Sequence, residues 1–206
     1  NESNLKPFIY QILNAYQSLL IQYKQPFKSA EQEILYLKFF YLSDIKIRNN
    51  KKKNWKIPVC YSPDFAPDLE ELCNALKLSK ESVIKRHCSP IYTVFFIGFL
   101  PGFLYLGGLN SKLFFDRKPN PRLNVERGAV GIGGEQTGVY PENSAGGWNI
   151  IGKTPINFFD VGEKKPCFAK SGDRIKFISI TKKEFFKLEN LVSDNSFQLF
   201  KTVLND

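Results

Sequence analysis

The sequence has no methionine, a single histidine and no apolar run long enough to cross a membrane. A spanning helix needs about 18 apolar residues, so we expect a soluble protein without membrane contact. The cysteine spacing and the lack of a charged-then-apolar signal segment at the amino terminus predict a reducing compartment, the cytoplasm. The four cysteines show no Cys-x-x-Cys spacing, and one histidine with dispersed cysteines does not make a typical zinc site, so we predict no bound metal. Hydrophobic residues make up 43% and charged residues 24% of the 206, which is typical of a globular protein with one or two domains.

The formal net charge of +9 would suit a nucleic-acid binder, because lysine and arginine displace phosphate counterions. The basic residues are scattered, however, and the one dense run, residues 51–53, lies beside two asparagines and is typical of a solvated loop. No helix-turn-helix, zinc finger or aromatic-basic RNA motif accompanies the charge. We therefore predict no nucleic-acid partner.

Glycine is missing from the first 97 residues, and all 14 glycines lie at or after Gly98. This change in composition predicts two architectures. We expect a small amino-terminal α+β sandwich over residues 1–88. Residues 89–206 contain short β-branched and aromatic runs between glycine, proline and asparagine, which indicate a compact β-barrel or sandwich.

The apolar spacing of the first half predicts alternating helices and strands. We expect a helix at residues 5–16, a strand at 18–23, a helix at 29–37 and a strand at 55–61. Two further helices should follow.

The first of these helices is predicted to begin at Asp68, with Glu71 three residues later completing a capping box. The second should begin at Ser79 and end near His87, because the helix dipole favours cationic side chains at the end of a helix. Helical spacing from Val83 places His87 on a buried face. Two roles stay open for it: a core histidine with satisfied hydrogen bonds, or an acid, base or ligand.

The second half is predicted to contain several strands and one closing helix. The strands are expected at residues 92–99, 129–132, 148–151, 156–159 and 174–180, and the helix at residues 183–191. Residues 147–154 fit the phosphate-loop pattern G-x-x-x-x-G-K-T. Their bulky, strand-forming Trp-Asn-Ile-Ile and the lack of a following helix argue against a phosphate loop.

Hydrogen-bonding side chains concentrate among the turn glycines of the second half. Arg122 follows a proline, and Gln136 and Thr137 precede Gly138 and Tyr140. Such a mixture indicates a polar pocket. The alternative is that Arg122 and Gln136 only tie loops to the barrel backbone.

Three long stretches resemble one protein family. They are PIYTVFFIGFLPGFLYLGGL (90–109), NPRLNVERGAVGIGGEQTGVYP (120–141) and GGWNIIGKTP (146–155). Together with His87 they resemble the family of 5-oxoprolinase B subunits, which is also described as KipI-like or allophanate hydrolase subunit 1. The resemblance extends over about residues 5–180. It implies an amino-terminal α+β domain and a carboxy-terminal cyclophilin-like β-barrel.

The family's members begin with a strand containing a Gly-Asp element, whereas this chain starts at the helix that follows. We therefore expect a missing or trimmed leading segment, and a first-domain sheet that is one strand short. The sequence also departs from the family pattern at Leu104 and Arg127, neither of which is a site residue.

The resemblance implies a function as one subunit of a hydrolase. Such a chain binds the C subunit of 5-oxoprolinase tightly and works with a separate A subunit. The complex converts the lactam 5-oxoproline to glutamate with ATP. The ATP is used by the assembled complex, no bound cofactor is assigned to this chain, and the chain alone is expected to be inactive.

Two other functions compete with this one. The main alternative is a KipI-like inhibitor of a sensor histidine kinase. An exposed apolar patch would favour this alternative, and four phenylalanines could contribute to such a patch: Phe114, Phe115, Phe158 and Phe159. Peptidyl-prolyl isomerisation would rest on the fold alone.

The resemblance also implies six site residues. The predicted catalytic residues are His87, Arg122 and Gln136, and the predicted substrate-binding residues are Thr137, Tyr140 and Trp148. In this hypothesis Arg122 balances developing anionic charge, Gln136 orients the amide and His87 carries a proton.

Overall fold

The computed structural model describes residues 8–16, 18–26, 28–43 and 52–204. It divides into two compact units, residues 1–50 and 51–205. The boundary therefore lies well before the position predicted between residues 88 and 89. The reason is that the strand Lys52–Cys60 pairs along most of its length with the strand Arg174–Ile180, near the other end of the chain.

The first unit contains β1 (Ile9–Asn14), β2 (Leu19–Tyr23) and α1 (Ala30–Leu42). β1 and β2 form an antiparallel hairpin, and the Ser29 side chain caps α1. The predicted strand at 18–23 and helix at 29–37 are confirmed. The predicted helix at 5–16 is wrong over its described part, because β1 is extended and pairs with β2. A short apolar run does not by itself distinguish a helix from a strand.

The second unit contains the remaining strands and helices of the described chain. Its strands are β3 (Lys52–Cys60), β4 (Tyr92–Ile97), β5 (Leu104–Gly107), β6 (Arg122–Val125), β7 (Ala129–Gly133), β8 (Gln136–Val139), β9 (Ser144–Gly146), β10 (Asn149–Lys153), β11 (Arg174–Ile180) and β12 (Lys201–Leu204). Its helices are α2 (Leu69–Leu76), α3 (Lys80–Cys88) and α4 (Lys182–Ser193).

Seven of these strands close into a barrel in the order β10-β7-β8-β5-β4-β11-β3, and β3 returns to β10 through the pair Cys60 and Lys153. The pair β3 and β11 is parallel, and β12 adds to the first residues of β3. Alternate side chains fill the barrel, among them Val130 and Ile132 of β7. The predicted barrel is thus confirmed within a mixed α/β fold.

A second apolar cluster lies on the opposite face of β7, β8 and β10, and we call it the outer cluster. Its buried members are Phe103, Val125, Ala129, Tyr140, Trp148 and Ile150. Glycines make room for it: a Cβ on Gly133 would lie 2.7 Å from the indole nitrogen of Trp148, and one on Gly138 would lie 3.0 Å from the same ring. The barrel wall therefore has a buried layer on both sides.

Several further predictions can be compared with the structure. The helix beginning after Ser79 is confirmed, with the serine side chain accepting from the Ser82 amide, and the closing helix corresponds to α4. Residues 156–159 form no strand, and Phe158 packs into the barrel core instead. Residues 147–154, which fit the phosphate-loop pattern, contain the strand β10 rather than a loop followed by a helix. This agrees with the prediction that they are not a phosphate loop. None of the helices in the described ranges could cross a membrane.

Candidate functional site

Asp68 precedes α2, but its side chain does not cap that helix. The predicted capping box with Glu71 is therefore wrong. The Asp68 carboxylate instead accepts a hydrogen bond from the Ile150 amide at 2.6 Å, and the Asp68 amide donates to the Ile150 carbonyl at 3.1 Å. These bonds satisfy backbone groups of β10 that the barrel ladder leaves free at this position. Asp68 thus fixes the start of α2 against the barrel.

The same carboxylate binds two cations, Arg122 at the start of β6 and Lys118 in the loop before it. Arg122 donates through both terminal nitrogens, at 2.8 Å and 2.5 Å, and the Lys118 ammonium lies 3.0 Å from Asp68 Oδ1. Only 2% of Asp68 is exposed. Burial alone would raise the Asp68 pKa, but the hydrogen bonds from Arg122 and its other donors outweigh burial and lower it. The charge of Arg122 is therefore largely balanced within the protein.

A cleft of about 560 Å³ opens beside this network. It is lined by Glu71, Phe114, Phe115, Asp116, Arg117, Lys118, Pro119, Gly134, Glu135 and Asn149. Lys118 also reaches Glu71 at 2.9 Å, so one wall of the cleft is an ion-pair network. The Arg117 guanidinium lies 5.5 Å from the centre of the Trp148 ring, which connects the cleft to the outer cluster.

Gln136 begins β8 and is half-buried, opposite Gly133 of β7. The Trp148 indole packs against Gly133, and Gln136 is the residue paired with Gly133 on the neighbouring strand. The residues that precede Gln136 in the turn, Gly134 and Glu135, line the cleft. Gln136 is therefore the predicted catalytic residue that lies nearest to the cleft along the chain.

Tyr140 and Trp148 both contact Phe103 edge-to-face, with ring centroids 5.2 Å and 5.3 Å apart. Tyr105 lies against Trp148 at 5.8 Å and is half-buried. Burial raises the pKa of Tyr105 and of Tyr140, and the positive charge of Arg117 opposes this increase at both hydroxyls. The outer cluster thus places two phenols and an indole around one guanidinium.

His87 lies inside the protein and does not line the cleft. Its Nδ1 is 2.7 Å from the Tyr61 hydroxyl, and its Nε2 is 2.9 Å from Thr137 Oγ1. Because Thr137 donates its proton to the Gly131 carbonyl, it accepts from Nε2, which leaves Nδ1 to accept from Tyr61. The ring also stacks on Phe177 at 4.7 Å, and burial lowers the His87 pKa to about 3. The structure favours the alternative of a satisfied core histidine over a proton carrier.

The six predicted site residues therefore occupy three places. Gln136, Tyr140 and Trp148 belong to the outer face beside the cleft, Arg122 is bound to Asp68, and His87 and Thr137 form one buried network. Asp68 was not predicted to be an ion-pair partner, and neither Arg117 nor Lys118 was predicted to be a site residue. The basic turn Asp-Arg-Lys-Pro-Asn-Pro-Arg at residues 116–122 could have indicated the latter two. Of the four phenylalanines considered for a patch, Phe158 is buried, Phe159 is half-buried, and Phe114 and Phe115 line the cleft.

No group of three or more histidine, cysteine, aspartate or glutamate side chains suited to a metal ion occurs in the described ranges. The cleft instead offers exposed carboxylates and the Arg117 guanidinium beside an indole, and the half-buried amide of Gln136 follows the turn that lines it. Such groups bind and orient a small polar molecule through hydrogen bonds and ring contacts.

The fold and this cleft define a mixed α/β protein with a closed seven-stranded barrel. The family described as carboxyltransferase domain, subdomain C and D, matches residues 2–169, and the chain belongs to it. The resemblance to the family of 5-oxoprolinase B subunits found in the sequence is thereby confirmed.

Relatives and solved structures agree with this assignment. The B subunit of 5-oxoprolinase from Bacillus subtilis is 38% identical over 176 residues, which is 85% of this chain and 72% of the relative. That of Haemophilus influenzae is 41% identical over 136 residues, and the match spans 66% of this chain but only 64% of the relative.

Two solved structures extend the comparison. A conserved uncharacterized protein from Pyrococcus horikoshii superposes with a TM-score of 0.62 at 41% identity, covering 86% of this chain and 82% of that one. The urea amidolyase of Kluyveromyces lactis gives a TM-score of 0.79 over 96% of this chain and 14% of its own. At 18% identity the second likeness concerns the fold alone.

Proposed function

We propose that this chain is the B subunit of an ATP-dependent 5-oxoprolinase that converts 5-oxoproline to glutamate in the cytoplasm. The observation that carries the proposal is the extended similarity to proteins named as 5-oxoprolinase B subunits, at 38% identity over 85% of this chain. That similarity accompanies a polar and aromatic cleft of a size suited to a small lactam. In the proposed complex the chain binds the C subunit tightly and acts together with the A subunit.

A lactam is a weak electrophile, and its opening requires activation of the amide. ATP, used by the assembled complex, supplies that activation, and the residues of this chain bind and orient the ring. The side-chain amide of Gln136 can donate to the lactam carbonyl and accept from the lactam N–H. The half-buried Tyr105 ring, which packs against Trp148, supplies an apolar surface on the same outer face of the barrel. We assign binding and orientation to these three side chains.

The roles of the other predicted residues change with the geometry. Arg122 is held by Asp68, so we assign it to fixing the loop before β6 rather than to balancing charge on the substrate. His87 holds Thr137 in the barrel wall one residue from Gln136, and we assign it to positioning β8.

Exposure of the cleft supports the requirement for the other subunits. Asp116, Arg117 and Glu135 are all exposed on the chain alone. Charged hydrogen bonds are weak in contact with bulk water and stronger where water is excluded. Closure of the cleft by the A and C subunits would therefore explain why the chain alone is expected to be inactive.

The test is ATP-dependent release of glutamate from 5-oxoproline by this chain alone, with each of its candidate A and C subunits, and with both. We expect release only from the complete mixture. Gln136→Ala should lower kcat/KM about 10- to 100-fold, because one or two hydrogen bonds to the lactam are lost. Lys187→Gln on the exposed surface of α4 is the matched control and should leave turnover unchanged.

Absence of glutamate from every mixture would contradict the proposal. In that case, autophosphorylation of a sensor histidine kinase in the presence of the chain would test the inhibitor alternative. Full activity of the Gln136→Ala complex would contradict the assigned role of Gln136 while leaving the function of the complex intact.

A further inference from the structure

The cations beside the cleft differ in how their charges are used. Arg122 forms a two-pronged ion pair with buried Asp68, and Lys118 lies within 3.0 Å of carboxylates from Asp68 and Glu71. Among the described residues, Arg117 has no carboxylate within ion-pair distance, although it lies next to Lys118 in the chain. Of these three cations, Arg117 therefore keeps its charge available for a ligand.

Among the described residues, Arg117 contacts an aromatic ring rather than an acid. Its guanidinium lies 5.5 Å from the centre of the Trp148 ring. Trp148 is 4% exposed and packs against Gly133, so it gives the exposed guanidinium a rigid support. A cation–π contact does not use the N–H groups of arginine, so they stay able to donate a forked pair of hydrogen bonds. This arrangement suits a planar carboxylate.

The rest of the cleft complements a ligand that also carries an N–H group. Asp116 and Glu135 line the same cleft and are exposed, and they offer acceptors. The turn at Gly134, with φ of +62°, leaves open space where a side chain would stand. The chemistry therefore favours a small carboxylic acid with an N–H donor over a simple inorganic anion.

We infer that Arg117 binds the carboxylate of the substrate and is a specificity-determining residue of the cleft. This inference rests on the proposed function, in which the substrate is a lactam that bears a carboxylate. Arg122, which was predicted to balance developing anionic charge, is already paired with Asp68, whereas Arg117 lies five positions earlier and has no such partner among the described residues.

The experiment measures equilibrium binding of 5-oxoproline to the assembled complex without ATP, by calorimetry. Arg117→Gln should raise the Kd about 10- to 100-fold, the usual effect of losing a hydrogen-bonded charge. Arg117→Lys should recover only part of the affinity, because lysine lacks the planar fork. Lys187→Gln removes one positive charge from α4 and should bind as tightly as the wild type. The lactam 2-pyrrolidinone, which lacks the carboxylate, should bind the wild type and Arg117→Gln equally.

Each outcome decides the inference. Unchanged 5-oxoproline affinity in Arg117→Gln overturns it, as does a wild-type complex that does not bind the lactam at all. An equal loss of affinity for 2-pyrrolidinone would indicate a general disturbance of the cleft and also overturns it. Arg117-dependent binding without ATP-driven glutamate release would leave the inference standing and contradict only the proposed function.

Discussion

Mild acid should destabilise the second unit through His87, the only histidine of the chain. Burial lowers the pKa of His87 to about 3 in the folded protein, whereas an unfolded chain restores its ordinary pKa of about 6.5. Between these two values the unfolded chain binds a proton that the folded chain does not. Stability is therefore fully present above pH 6.5 and falls as the pH falls toward 3.

The size of the effect follows from the pKa difference. Each unit of pH below 6.5 costs about 1.4 kcal/mol, so the loss at pH 5 is about 2 kcal/mol. That is a sizeable part of the usual free energy of unfolding of a domain, which is about 5–15 kcal/mol. Trp55 and Trp148 both belong to the second unit. Urea unfolding followed by tryptophan fluorescence at pH 7.5, 6.5, 5.5 and 5.0 should therefore report its stability.

His87→Gln is the control, because glutamine can still donate to Thr137 but does not titrate. This variant should be less stable than the wild type at pH 7.5 but should lose little more between pH 7.5 and 5. NMR of the unique imidazole should show no titration in that range. A wild-type free energy of unfolding that stays constant down to pH 5, or an imidazole that titrates near pH 6.5, would refute the reasoning. An equal pH slope in His87→Gln would assign the loss to other groups.

Two further predictions concern the residues that support the cleft. Asp68→Ala should lower the free energy of unfolding by about 3 kcal/mol in urea titrations at pH 7.5, because it removes a buried carboxylate from two cations and from a backbone amide. Glu71 is an exposed ion-pair partner, so Glu71→Gln should lower the free energy of unfolding by at most about 1 kcal/mol. Equal losses of stability in Asp68→Ala and Glu71→Gln would contradict the assigned difference in burial. Gly133→Ala should push the Trp148 indole outward, because the new Cβ would stand 2.7 Å from it; we expect a red-shifted emission and a loss of about 1–3 kcal/mol. Unchanged emission and stability in that variant would show that the indole does not rest on the glycine.

The strands of the barrel could be predicted because their patterns are local. The runs that became β4, β7, β10 and β11 are rich in β-branched and aromatic residues and are bounded by turn residues. The helix after Ser79 was marked by its cap in the same way. Each of these features depends on neighbours within a few positions, which a single sequence displays directly.

The partners of the strands could not be predicted, since they depend on distant residues. β3 pairs in parallel with β11, which lies more than a hundred positions later in the sequence, and no local pattern predicts that pairing. The same limit explains the domain boundary, which was placed where the composition changes rather than where the pairing changes. Asp68 was interpreted as a helix cap because its true partners, Ile150 and Arg122, lie far away in the sequence.

One error in the predicted site was open to correction from the sequence. Gln136 and Thr137 are consecutive in a strand, and consecutive side chains of a strand point to opposite faces. They could not both line one cleft from β8. The structure places Thr137 in the buried network with His87 and leaves Gln136 half-buried on the other face. His87 lies on the inner side as well, because it forms a hydrogen bond with Thr137, the inward-pointing residue of the two.

The buried polar side chains of this fold are largely occupied with holding its backbone. Asp68 bonds the amide of Ile150, Thr137 bonds the carbonyl of Gly131, and Asp173 accepts from the amides of Lys53 and Lys170. Substituting such residues lowers activity through stability, so a loss of turnover there does not identify a substrate contact. Exposed or half-buried groups whose charge or amide is not needed by the fold are better tests of chemistry. Comparison of affinity with stability, variant by variant, would therefore separate the cleft from its supports.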